Sequence, residues 1–157
     1  MKNPLVIILA AVIGGLVGSL SGCGAPRQPA VEDLNHREDF SGARMMTLRG
    51  ARDGEILDAE AMFSGRSLLL TLKMRFAIGA PTTLMSGTWV RTLADGKMET
   101  GSISARSVSF TGGQSGPPSV GGSFDLLDTA GAHKYRVVLP LLELRDRLEV
   151  PKIPPAR

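Results

Sequence analysis

Ten consecutive residues constrain this chain more than any others. Over residues 67–76, Leu68, Leu70, Leu72, Met74 and Phe76 fall on one parity. Ser67, Leu69, Thr71, Lys73 and Arg75 fall on the other. A strand points successive side chains to opposite faces, so this alternation makes one apolar face and one largely polar face. Wound as a helix, the same residues would place Lys73 and Arg75 among the leucines and leave no comparable stripe. The expectation is a half-buried antiparallel strand at the centre of the core.

The same period extends to both sides. Residues 44–49 read as a first strand with Met46 and Leu48 inward, and Leu57, Ala59, Ala61 and Phe63 alternate with Asp58, Glu60 and Met62. Asp53-Gly54 and Asp95-Gly96 supply turns, because both residue types tolerate positive φ. Residues 77–85 hold Gly79 and Pro81 and read as a crossing loop. Residues 86–93 are rich in strand formers, but their inward face is open: Trp89 shares parity with Arg91, and Val90 with Thr88 and Thr92. As the sole tryptophan of a chain poor in aromatics, Trp89 is expected in the core.

Ile103 and Ala105 share a face, whereas Val108 and Phe110 sit on the other parity. A bulge near Arg106-Ser107 would reconcile them. Residues 111–122 are rich in glycine and proline and read as a surface loop. Phe124 and Leu126 resume the alternation, residues 128–132 turn, and Tyr135, Val137 and Leu139 face inward until Pro140 ends the strand. Residues 141–150 fit a bent terminal strand or a helical stripe. Seven or eight short strands joined by such turns imply a mainly β domain: a small antiparallel β-sandwich, with a small β-barrel as the alternative.

The chain opens differently. Lys2 is followed by an uncharged apolar run over residues 5–20, then by Leu20, Ser21, Gly22 and Cys23. A basic start, an apolar middle and small residues before a cut site make a secretory signal peptide. Leu20-Ser21-Gly22-Cys23 resembles the lipobox of bacterial lipoproteins. The resemblance implies a diacylglyceryl group on the Cys23 thiol, cleavage before Cys23, and a chain held in a membrane by its lipid. An uncleaved transmembrane helix is the competing reading, since the uncharged stretch approaches the roughly 20 residues that span a bilayer. Glycines at 14, 15, 18 and 22 weaken its far half. Glycine rather than aspartate at position 24 favours the outer membrane.

The expected organisation is a signal peptide over 1–22, a lipid-anchored tether over 23–40, a β-domain over 41–150 and a proline-rich tail over 151–157. The tether, with Pro26, Pro29 and the polar patch around His36, would reach about 50 Å.

The 157-residue chain, less its leader, suits one domain. Its formal charge of +3 is spread among both signs and includes Lys2 of the leader, so no nucleic-acid partner is expected. The only cysteine belongs to the lipobox, which leaves no disulfide and no thiol chemistry for the domain. His36 and His133 lie far apart and no metal-binding spacing accompanies them, so no metal or other cofactor is expected. Asp125 and Asp128 near a turn read as turn capping rather than a calcium site. Neither GxSxG nor SxxK occurs, and serines 102, 104, 107 and 109 read as outward hydroxyls of a strand. Asp58 and Glu60 share an outward face and are expected to pair with Arg49, Lys73 and Arg75 rather than to act as an acid–base couple.

These readings converge on a non-enzymatic lipoprotein of the cell envelope, facing the periplasm or exterior, that binds a protein or serves an envelope assembly. The alternatives are a periplasmic carrier of apolar ligands or lipid, and a hydrolase whose site is too scattered to see in the sequence.

Overall fold

The computed structural model describes residues 28–66, 68–112 and 117–144. Eight strands make one antiparallel sheet: β1 (Ala30–Asp33), β2 (Arg44–Asp53), β3 (Ile56–Ser64), β4 (Leu69–Ala77), β5 (Thr83–Thr92), β6 (Met98–Thr111), β7 (Ser119–Leu127) and β8 (His133–Glu143). β2 to β8 form a meander in which each strand pairs with the next, and β1 adds to the outer edge of β8. The sheet curls into a half-barrel, so the expected mainly β class holds. Of the two architectures weighed, the single curled sheet lies nearer the barrel.

The curl brings distant strands together across the inner face. Phe76 of β4 meets Phe124 of β7 edge-on at 6.2 Å, and Trp89 of β5 meets Tyr135 of β8 at 5.6 Å. Leu57, Ala61, Phe63, Leu70, Leu72, Phe76, Val120, Phe124, Leu126 and Val137 are all fully buried. The β4 alternation is as the sequence implies: Leu68, Leu70, Leu72, Met74 and Phe76 face the core, while Leu69 is exposed. Both Asp-Gly turns form with positive φ at Gly54 and Gly96. The β6 ladder shifts register between Ala105 and Ser107, which is the bulge the change of parity required.

Several segments depart from expectation. The tether does not reach residue 40. Ala30–Asp33 pairs with residues 135–138 of β8, and Val31, Asp33 and Phe40 are buried. Residues 28 and 29 precede the strand, and residues 23–27 of the expected tether lie outside the described residues. Met46 points outward, 65% exposed, because a register shift between Met45 and Thr47 turns the bulged residue away and leaves Met45 against the core. The loop over 77–85 is a tight connection, since Thr83 already pairs with Ala77.

Residues 119–122, expected in a loop, belong to β7. Gly121 lies where backbones approach closely: an added Cβ would come within 2.8 Å of the Pro140 and Leu141 main chain. Pro140 does not end β8. The register passes from Gly122↔Leu139 to Val120↔Leu142, so Pro140 and Leu141 oppose the single residue Gly121. A bulge of this kind lets a strand carry a proline without losing a ladder bond. Residues 145–150 and the proline-rich tail lie outside the described residues.

Candidate functional site

Three places on this scaffold gather polar chemistry or open space. The first is a buried guanidinium. Trp89 and Arg91 are both inward on β5, which is why the parity of this strand was unreadable in sequence. Arg91 is 2% exposed. Its Nη1 donates to Glu38 Oε1 at 3.0 Å and to the Tyr135 hydroxyl at 2.6 Å, and its Nη2 donates to Glu38 Oε2. Tyr135 in turn donates to Glu99 Oε2 at 3.0 Å, and that carboxylate lies 3.6 Å from Arg91. The rings of Phe40 and Tyr135 stand 5.5 and 5.4 Å from the guanidinium carbon.

Electrostatics follow from the geometry. Burial acts against the charged Arg91, but the Glu38 and Tyr135 partners outweigh it and the guanidinium pKa is raised. Burial pushes the Tyr135 phenol up to about 12, with Arg91 opposing that rise and Glu99 adding to it. The arrangement holds a cation, a neutral phenol and carboxylates in mutual satisfaction. It therefore works as a lock on the chain between β1 and β2.

That connecting segment is folded by Asp33, whose carboxylate accepts the amides of Asn35, Arg37 and Glu38 at 2.7, 3.0 and 2.9 Å. The turn passes through His36 at φ 54° and delivers Glu38 to Arg91. Nothing in sequence flagged Glu38, Arg91 or Glu99. The only available sign was a charged residue sharing parity with the sole tryptophan.

The second place is a fork in the sheet wall. β5 and β6 pair only from Thr88↔Ser102 to Thr92↔Met98. Beyond Thr88 the strands diverge: residues 83–87 keep β4, and the rest of β6 keeps β7. Ile103 sits at the base of the fork, where Gly87 makes room: an added Cβ there would be 2.7 Å from Ile103. Above it opens a groove of about 460 Å³ with Thr82, Leu84, Ser104, Arg106 and Val108 among its walls. Facing strand edges lacking a ladder partner make a slot for extended chain.

The third place is the seam where the curled sheet fails to close. Met45, Met46, Thr47 and Leu48 of edge strand β2 face Leu141, Leu142 and Glu143 of β8 across a groove of about 530 Å³.

The remaining candidates are accounted for by structure. Arg75 makes a two-armed ion pair to Asp58 at 2.7 and 2.9 Å, and Arg49 pairs with Glu60, as the cross-strand reading required. The Arg75 hydrogen bond holds the Asp58 carboxyl below its ordinary value. Asp128 caps its turn through the amides of Ala130 and Ala132. Asp125 does not cap. Burial disfavours its charge, but Arg136 at 2.8 Å, with Arg106 and His133 nearby, lowers its pKa. Ser107 accepts the Ser123 amide at 3.1 Å. His36 and His133 sit in separate turns and strands, and no group of three potential metal ligands occurs among the described residues. Leu20, Ser21, Gly22 and Cys23 lie outside the described residues.

Compared with protein-family models, curated proteins and solved structures, the chain matches none.

Proposed function

We propose that this chain is a lipoprotein of the cell envelope, anchored through Cys23, whose non-catalytic β-domain holds a protein partner. The lipobox-like Leu20-Ser21-Gly22-Cys23 supports the anchor. The binding role rests on one observation, the β5–β6 fork. Its two edges offer main-chain donors and acceptors to an extended segment, and Ser104 and Arg106 bring side-chain hydrogen-bonding groups to the same groove. A strand added there would continue the sheet wall.

The polar side chains support a non-catalytic role. Asp58, Glu60, Asp125 and Glu38 each answer an arginine. Carriage of an apolar ligand would need a hollow inner face. Here Phe63, Phe76, Trp89 and Phe124 fill it.

The test is site-specific photocrosslinking in membranes. A photoreactive residue at Ser104, in the groove, should yield a defined adduct whose mass identifies the partner. The same residue at Lys97, in the far hairpin, should not. Equal labelling from both positions, or none from Ser104, would reject the fork as the binding site.

A further inference from the structure

We propose that the seam between β2 and the end of β8 rests on the bilayer surface, holding the domain against its membrane in a fixed orientation. This rests on the lipoprotein reading above. The first argument is direction. Ala30 pairs antiparallel with Val138 and Asp33 with Tyr135, so β1, followed from Asp33 back to Ala30, points toward the Leu141–Glu143 end of β8. The second is length. β1 begins at Ala30, so Cys23 is roughly seven residues upstream, and such a segment spans at most about 25 Å. With β1 paired to β8, half of the reach expected of a free tether is gone, and the lipid enters the membrane within about 25 Å of Ala30, a radius that includes the seam.

The third argument is chemistry. Met46 and Leu141 are 65% and 46% exposed at the seam, and Met45 and Leu142 pack half-buried at its base. Exposed apolar side chains gathered at one groove mark an interaction surface. Arg44, next to Met45 on the same edge strand, is also exposed and placed to meet anionic headgroups. The insertion is shallow. β2 presents an open backbone edge, which tolerates the hydrated headgroup layer but not hydrocarbon. Glu143 stays at that wet level too.

The experiment uses the full-length protein, processed in bacteria and reconstituted into vesicles of zwitterionic and anionic phospholipid. With Cys23 occupied by its lipid, a nitroxide is attached in turn at Met46→Cys, Leu141→Cys and Met98→Cys. Met98 is 70% exposed at the start of β6, in the middle of the sheet and four strands away from β2. The expected result is several-fold lower access of a water-soluble paramagnetic relaxant to positions 46 and 141 than to 98, with the reverse order for oxygen. Acylated Cys23 with all three positions equally wet overturns the docking and leaves the anchor standing. A bare or unprocessed Cys23 overturns both. All three substitutions fall on exposed side chains, so folding is preserved, and the tryptophan emission of Trp89 checks it.

Discussion

Arg91 on β5 closes a two-armed ion pair on Glu38, 53 positions earlier in the chain, and so fastens the segment between β1 and β2 over one end of the half-barrel. Removing one member of a buried pair leaves the other without compensation. Arg91→Ala should therefore cost about 3–5 kcal/mol in urea denaturation. Glu38→Ala should cost a comparable amount, because it leaves the Arg91 guanidinium, its side chain 3% exposed, with the more distant Glu99 at 3.6 Å to offset its charge. Both variants should speed hydrogen exchange at the β1 amides. Unchanged protection there would mean that the pair does not hold the strand.

Gly101 gives a steric prediction. Trp89 Nε1 donates to the Leu127 carbonyl at 2.8 Å directly over Gly101, and an added Cβ would lie 1.8 Å from that oxygen. The obstacle is backbone and cannot swing aside. Gly101→Ala should cost about 3 kcal/mol and shift the emission of the only tryptophan as its hydrogen bond breaks. An unshifted spectrum would contradict the packing.

The single tyrosine can be titrated directly by tyrosinate absorbance. Folded protein should ionise Tyr135 at about 12, against 10.0 for an unburied phenol. The sign follows from the raised folded value. Its contribution to stability is complete below the unfolded pKa and is lost as pH rises from about 10 through 12. Tyr135→Phe should remove that alkaline decline, and a folded midpoint near 10 would disprove the burial.

Asp125 gives the opposite limb. Its carboxyl titrates below the ordinary 3.8, so its contribution is present at neutral pH and lost as pH falls through the depressed folded value. Asp125→Asn should cost about 1–2 kcal/mol at neutral pH and flatten acid unfolding. Thermal melts across the acid range read both effects.

Adjacent leucines on β4 test the register. Leu70 is fully buried and Leu69 is 43% exposed. Leu70→Asp should abolish folding, since a carboxylate would enter the core unpaired. Leu69→Asp should remain soluble and melt cooperatively. Similar behaviour of the two would mean that the faces are assigned the wrong way round.

Where physics is local, the sequence carried it. The β4 alternation, the two Asp-Gly turns, the parity break that required a bulge at Arg106 and the Asp58 and Glu60 pairings all depend on near neighbours in chain or ladder. Four features depend on distant partners and were not readable. β1 is short, preceded by proline and polar on one face, so only the free edge of β8 makes it a strand. Arg91 looks outward by type and is inward because Glu38, Glu99 and Tyr135 compensate it. Gly121 and Gly122 look like loop residues but serve close backbone approach. Pro140 looks like a strand terminator, yet a glycine across the ladder lets the strand continue. The fork and the open seam are equally products of long-range curvature, which no local pattern encodes.

The direction of β1 also has a mechanical consequence. Tension applied upstream of Ala30 runs along the strand axis, while the hydrogen bonds to β8 lie across it. The load is shared by the whole short ladder at once instead of peeling it bond by bond. A pull on the leading end would be resisted in shear, and the sheet would act as a cleat.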